Sequence, residues 1–227
     1  MSLSDNLKSV LENIEKAKDR SKLHQDVKLI GVSKNHTTEE ILKAYDLGLK
    51  DFGENRVQEL KEKIDVLPKN INFHMIGNFQ TNKVKYIYDK VALIQSVDRL
   101  NLIKEIDKRA KNDNILVNIL IQVNISKENQ KGGVASEKLV ELIEETIDYK
   151  NIKIKGLMGI GPLTEDYSEI RKCFRELFNL RENIKNRHYK EVDMDYLSMG
   201  MSGDFEIAIE EGSNMVRIGT KIFGSRK

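Results

Sequence analysis

The sequence holds a single cysteine, Cys173, and four histidines among 227 residues. One thiol cannot close an internal disulfide. It lies in Ile170-Arg171-Lys172-Cys173-Phe174-Arg175, a helical-looking stretch remote from any motif, so a buried, inert thiol is expected. No His or Cys grouping has metal-site spacing. No apolar run reaches the roughly 20 residues that a membrane-spanning helix needs. Met1-Ser2-Leu3-Ser4-Asp5 lacks the basic-then-apolar form of a signal peptide, which points to a cytoplasmic location. An excess of either charge is also missing. The 38 basic and 36 acidic residues leave a net +2, which suggests neither a nucleic-acid nor a membrane-surface partner. Linkers, low-complexity tracts and short-period repeats are absent. What remains is ordinary for a globular protein, 39% hydrophobic and 33% charged, and residues 1–227 read as one domain.

What is present is a regular beat of strand-like and helix-like segments. A first helix runs from about Ser4 to Ala17, with Leu7, Val10, Leu11 and Ile14 at helical spacing. Eight apolar runs read as strands: Val27 to Ser33, Leu49 to Phe52, Ile71 to Ile76, Val91 to Ser96, Ile115 to Asn124, Ile152 to Met158, Tyr196 to Ser198 and Met215 to Ile218. Helices are expected between them. One opens at Thr37, with Glu40 completing a capping box, and stops at Gly48. Others span Arg56 to Val66, Asn82 to Tyr88, Asp98 (as cap) to about Lys108, a segment capped by Ser136, Tyr167 to about Ile184, and Asp204 to Glu210. Strands apolar on both faces fit a parallel sheet covered by helices. Eight such units predict an α/β fold of the (β/α)8 TIM-barrel type, with an additional N-terminal helix. A doubly wound open sheet is the alternative, weakened because no Gly-x-Gly-x-x-Gly follows the first strand.

A barrel of this type carries its site at the carboxyl ends of the strands. Those ends collect Ser33-Lys34, Gly53-Glu54-Asn55-Arg56, Gly77-Asn78, Gln95-Ser96, Gln122 and Asn124, and Met158-Gly159. The last two strands run into Ser198-Met199-Gly200-Met201-Ser202-Gly203 and Gly219-Thr220. Glycines and hydroxyls after neighbouring strands suit a phosphate, with Ser202 expected to cap the helix beginning near Gly203; ordinary turn and cap chemistry is the plainer alternative. Lys34 reads either as a solvated surface lysine or as an amine that attacks an aldehyde. Arg217, between Val216 and Ile218, reads either as half of an ion pair closing the barrel or as a guanidinium aimed at a heterocycle's ring nitrogen. His74, in an apolar strand, reads as a satisfied core histidine or as a ligand contact.

Together, Ile30-Gly31-Val32-Ser33-Lys34, Phe52-Gly53-Glu54-Asn55-Arg56-Val57-Gln58-Glu59, Phe73-His74-Met75-Ile76-Gly77 and Gln80-Thr81-Asn82-Lys83-Val84 resemble the pyridoxal phosphate homeostasis proteins (the YggS/PROSC type). Ser96-Val97-Asp98, Gln122-Val123-Asn124-Ile125-Ser126, Gly156-Leu157-Met158, Leu197 to Ser202 and Val216 to Gly224 extend the resemblance over nearly the whole chain. The resemblance implies a fold like the N-terminal barrel domain of alanine racemase. It implies that Lys34 holds pyridoxal 5′-phosphate as an internal aldimine. It places Ser198, Met199, Ser202, Gly219 and Thr220 in phosphate-binding loops, Arg217 opposite the pyridine nitrogen, and Asn55 and Met158 beside the cofactor. Lys131 matches a second lysine near the cofactor. The chain departs from the common pattern at Asn35-His36, Asn78 and Gly159.

The resemblance further implies a role in vitamin B6 homeostasis, holding and delivering the cofactor, with transient contacts to apoenzymes that require it. A monomer without turnover activity is expected. A racemase needs an acid–base group on each face of the substrate carbon, and the alanine racemase family takes one from a second domain that this chain is not expected to supply. A pyridoxal-phosphate-dependent racemase or lyase is the enzymatic alternative. A phosphosugar enzyme would use the phosphate loops but not Lys34.

Overall fold

Short apolar runs form strands here because nearly all are followed by an α-helix that covers the outer face. The computed structural model describes residues 2–128 and 130–224. Its strands are β1 (Lys28–Val32), β2 (Asp51–Glu54), β3 (Asn72–Met75), β4 (Leu93–Val97), β5 (Val117–Val123), β6 (Ile152–Gly159), β7 (Val192–Ser198) and β8 (Met215–Ile218). All pair in parallel and in chain order, and β1 closes on β8 with Lys28 opposite Met215 and Ile30 opposite Arg217. This is the expected barrel and rules out the open sheet. The helices are α1 (Leu3–Arg20), α2 (Thr38–Asp46), α3 (Val57–Val66), α4 (Leu100–Asn112), α5 (Leu139–Thr146), α6 (Tyr167–Lys185), α7 (Phe205–Glu210) and α8 (Thr220–Phe223). Among the described residues no helix is long and apolar enough to cross a membrane, and no His, Cys, Asp or Glu group is arranged to hold a metal.

Alternation along each strand splits the core in two. Ile30, Leu93, Leu120, Met158 and Met215 fill the barrel interior, while a larger cluster joins the strands' outer faces to the helices. The N-terminal helix α1 packs on α7, α8 and α2, over the seam where β8 meets β1. A Ser2–Asp5 capping box starts it, and Asn6 Nδ2 donates to the Ile222 carbonyl at 3.0 Å.

Four local expectations need correction. The segment after β3 is a 3₁₀ helix, Thr81–Tyr86, which buries only Val84 and so has no apolar stripe to sustain an α-helix. Asp98 does not cap α4; its carboxylate accepts from Arg99 Nη1 at 2.6 Å. Ser136 opens a 3₁₀ turn ahead of α5 and donates to Glu176 at 2.7 Å. Cys173 is partly rather than fully buried; burial, with Glu176 and Glu169 nearby, pushes its thiol pKa up, away from reactivity.

Glu211, buried at the end of α7, receives Arg171 at 2.7 Å and also Arg175. Burial alone would raise its pKa, but these two partners outweigh it and hold the carboxyl below its ordinary range. A depressed folded pKa gives stability that is present above the unfolded value and lost as pH falls through the folded one. Glu211→Gln is expected to cost about 1–3 kcal/mol at neutral pH, the arginines being partly solvated. The deficit shrinks in acid, as denaturant titrations at pH 7 and pH 3 will show.

Candidate functional site

Strand β1 places Ile30 and Val32 on the interior side, and Lys34 follows two residues beyond its carboxyl end. Because Ile30 pairs with Arg217, Lys34 stands farther toward the mouth on the strand next to it. Lys34 is partly buried, and Asn35 turns the chain directly after it with φ 62°, a left-handed conformation that asparagine tolerates.

The turn is clamped from outside the barrel. Lys63 Nζ, on α3, donates at 2.7 Å to the Ser33 carbonyl, to Glu54 Oε1 and to Glu59 Oε1. Ser33 Oγ donates to the same Glu54 oxygen at 2.5 Å, and the Asn35 amide reaches Glu59 Oε1. Glu54 is fully buried and its Oε2 has no hydrogen-bond partner among the described residues, and burial raises its pKa against the pull of Lys63 and Ser33. Lys63→Met removes the cation that compensates this carboxyl, and an expected loss of about 3 kcal/mol follows. A raised folded pKa makes stability fall as pH rises above the unfolded value. The variant's deficit is therefore smallest below about pH 4, where glutamate is protonated in both states, and grows toward neutrality in chemical denaturation.

Arg217 projects from β8 into the interior and is 4% exposed. Its Nη1 donates to Ser198 Oγ at 2.6 Å and its Nη2 to the Gly159 carbonyl at 2.8 Å. Both acceptors are neutral. Among the described residues no carboxylate forms an ion pair with it, which removes the barrel-closing salt bridge as its explanation. Burial lowers its pKa to about 10, with Asp204 as the opposing influence, so it remains cationic at neutral pH. Ser198 is fully buried and its hydroxyl is already engaged by Arg217 and by Gln95 at 2.6 Å. It lies inside the barrel, below the loop it introduces.

The loops after β7 and β8 are tied together. Met199 N–H donates to the Met215 carbonyl at 3.1 Å and Arg217 N–H to the Gly200 carbonyl at 3.0 Å. Gly200 has φ 95°, and a Cβ there would lie 2.6 Å from Ala208 Cβ, so only glycine fits. Ser202 does not cap a helix. Its hydroxyl accepts from Gly219 N–H at 3.3 Å, while Asp204 precedes α7 and accepts from Met201 N–H at 2.6 Å. Ser202 and Gly219 are thus adjacent, and Thr220 is exposed beside them. The Met199 side chain packs in the outer core instead. Met158 lies among the interior residues. Asn55 is partly buried at the end of β2, and its backbone passes so close to Gly77 that a Cβ would sit 2.3 Å from the Asn55 carbonyl oxygen. Lys131 crosses from the β5 loop to the β6 loop, donating to Glu128 at 2.6 Å and the Gly161 carbonyl at 2.8 Å.

The family model described as "Alanine racemase, N-terminal domain" matches residues 6–227. A pyridoxal phosphate homeostasis protein from Aquifex aeolicus is 47% identical over 229 residues, covering 100% of both chains, and one from Helicobacter pylori is 41% identical over 95% of each. The chain belongs to the pyridoxal phosphate homeostasis protein family. Among solved structures, this family member superposes on PipY of Synechococcus elongatus, determined with pyridoxal phosphate bound, with TM-score 0.85, 29% identity, and coverage of 98% of this chain and 100% of that one. It shares its fold with alanine racemase of Clostridium difficile, TM-score 0.76 and 18% identity, where the match covers 98% of this chain and 56% of the racemase.

Sequence reading of this family member collected Gln95 only as a polar residue at a strand end and passed over Asp51 and Lys63. Asp51, Gln95 and Lys63 carry no motif. Their signal is parity: a polar residue on the apolar face of a strand or helix, at a position whose neighbours two or four residues away are buried.

Proposed function

We propose that this protein binds pyridoxal 5′-phosphate through Lys34 and serves vitamin B6 homeostasis as a carrier that holds and delivers the cofactor. The observation that carries this reading is Arg217, a buried cation whose hydrogen-bond partners are neutral, on the strand next to the one that presents Lys34. Among the described residues a guanidinium so placed has no ion-paired carboxylate, with Asp204 acting on it from farther away, and a phosphorylated pyridine arriving from the mouth would bring it an acceptor and a nearby dianion. The residue set fits such a ligand: an amine at the mouth, hydroxyls of Ser202 and Thr220 beside Gly219 at the rim, Asn55 on the β2 side, and Met158 as an apolar wall. When bound, the cofactor supplies an aldehyde carbon to which an amine adds with loss of water. Lys34 holds it in place, and the tied β7 and β8 loops orient its phosphate.

Arg217 also argues for carriage, or racemase-type chemistry, over transamination. A carboxylate facing a pyridine nitrogen favours its protonation, whereas a guanidinium opposes it through like charge and weakens the ring as an electron sink. The barrel shared with alanine racemase supports one competing reading, an amino-acid racemase of narrow range. Incubating the loaded, purified protein with an apoenzyme that requires the cofactor, and separately with a panel of L-amino acids, separates the two. Carriage predicts regain of apoenzyme activity and no racemised or transaminated product. Sustained turnover that Lys34→Ala abolishes would overturn it.

A further inference from the structure

Behind Arg217 a line of hydrogen bonds crosses the barrel interior to its floor. Arg217 Nη1 lies 2.6 Å from Ser198 Oγ, Ser198 Oγ 2.6 Å from Gln95 Oε1, Gln95 Nε2 3.1 Å from His74 Nδ1, and His74 Nε2 3.0 Å from Asp51 Oδ1. The links come from β8, β7, β4, β3 and β2, so no local turn or cap accounts for them. Gln95 and Ser198 are fully buried and His74 is 3% exposed. Asp51 reaches the opening at the amino ends of the strands, which His74 also lines, and Lys28 Nζ approaches Asp51 there at 3.4 Å.

With the Gln95 amide oxygen turned to Ser198 and its nitrogen to His74, the chemistry of each group allows one arrangement of protons. A guanidinium only donates, so Ser198 Oγ accepts from it and spends its single proton on Gln95 Oε1. This leaves the amide nitrogen of Gln95 toward His74, whose Nδ1 must then be a bare acceptor. The imidazole proton sits on Nε2 and is donated to the Asp51 carboxylate. Protonating Nδ1 would set two donors face to face. It would force the Gln95 amide over and present Ser198 with donors from both sides. The orientation of Arg217 and the tautomer of His74 are therefore one variable.

We infer that Asp51, His74 and Gln95 are positioning residues, which hold the guanidinium of Arg217 in the rotamer that faces the cofactor by dictating what Ser198 offers it. This rests on the reading above that Arg217 faces the ring, but the column itself exists without ligand. A wired, one-directional chain also explains why polar side chains occupy an interior otherwise filled by Ile30, Leu93, Leu120 and Met158. Left half-made, such a chain would cost more than an apolar core.

The test begins with nitrogen NMR of the imidazole groups in the ligand-free protein, with the His74 signal assigned by its loss in His74→Gln. The column predicts a neutral ring protonated at Nε2, and Arg217→Gln is expected to shift the Nδ1 resonance across the barrel. A wild-type His74 protonated at Nδ1, or one indifferent to Arg217→Gln, overturns the inference without any cofactor. In the loaded protein, Gln95→Met is expected to speed cofactor release about tenfold, and less than twofold when Arg217→Gln is already present. Equal losses in the two backgrounds would mean that Gln95 acts only on the fold, and would also overturn it. Gln95→Glu accepts from both neighbours and is expected to pull a proton onto His74 Nδ1, a change no packing defect would produce. If wild type takes up no cofactor, the reading of Arg217 as ring-facing fails, and the ligand-free signal alone decides the column.

Discussion

Lys34→Ala protein is expected to emerge without the yellow, borohydride-reducible chromophore of wild type, and to bind pyridoxal 5′-phosphate at least about a hundredfold more weakly, a loss of about 2.7 kcal/mol or more. The size follows from what the residue supplies. The rim hydroxyls, Asn55 and Arg217 offer hydrogen bonds and charge, which water also offers to a free phosphate ester, so their net worth is modest. A bond to carbon has no counterpart in water. The loss should be confined to binding. Lys34 is partly exposed in a turn, and the clamp around that turn is built from the backbone of residues 33 and 35 together with Glu54, Glu59 and Lys63. A thermal midpoint within a degree or two of wild type in the ligand-free protein checks this. A variant that loses binding and stability together would mean that the lysine is structural.

Arg217→Met is expected to do the reverse: to stabilise the ligand-free fold while weakening cofactor binding. A guanidinium that is 4% exposed and, among the described residues, bonded to a hydroxyl and a carbonyl bears a desolvation cost that these partners do not repay. Replacement of buried charge by an apolar chain of similar volume is commonly stabilising by about 1–4 kcal/mol. Against this stand the lost donors to Ser198 and Gly159, about 1 kcal/mol between them. The net is a gain of up to about 3 kcal/mol, which for a chain of this size raises the melting temperature by up to roughly 9 °C. Saturating cofactor should narrow or invert the gap, because wild type gains the larger ligand-induced stabilisation. Melting curves with and without pyridoxal 5′-phosphate measure both terms. A ligand-free variant less stable than wild type would show that Arg217 is an ordinary member of the core.

The contrast between these residues shows what was legible in the sequence. The barrel was, because nearly continuous apolar runs such as Val27 to Ser33 and Ile115 to Asn124 leave a chain few ways to bury both strand faces. The position of Lys34 and of the glycine–hydroxyl loops at the carboxyl ends of the strands was, because polar residues at consecutive strand ends have one common address. Strand β7 was read four residues short, since Asp193 and Asp195 break its apolar pattern. They pair across the sheet with Lys153 and Lys155 at 2.5–2.9 Å, a relation between strands that no single run displays. Strand β2 was placed too early because Leu49 is apolar, yet Leu49 belongs to the outer core and the strand proper carries Asp51 and Glu54. The caps at Asp98, Ser136 and Ser202 failed for one reason. A hydroxyl or carboxylate before a helix suits capping, but here Arg99, Glu176 and the Gly219 amide offered partners distant in sequence or outside the helix itself. The interior column was invisible for the same cause: its five members lie on five strands, and only closure of the barrel makes them neighbours.

Loading the protein with pyridoxal 5′-phosphate, reducing it with borohydride and mapping the adduct by peptide mass spectrometry bears on all of this at once. One pyridoxyl group per chain, carried on Lys34, is the expected result. Modification centred on Lys131 or spread over surface lysines, or an unmodified chain at saturating cofactor, would contradict it.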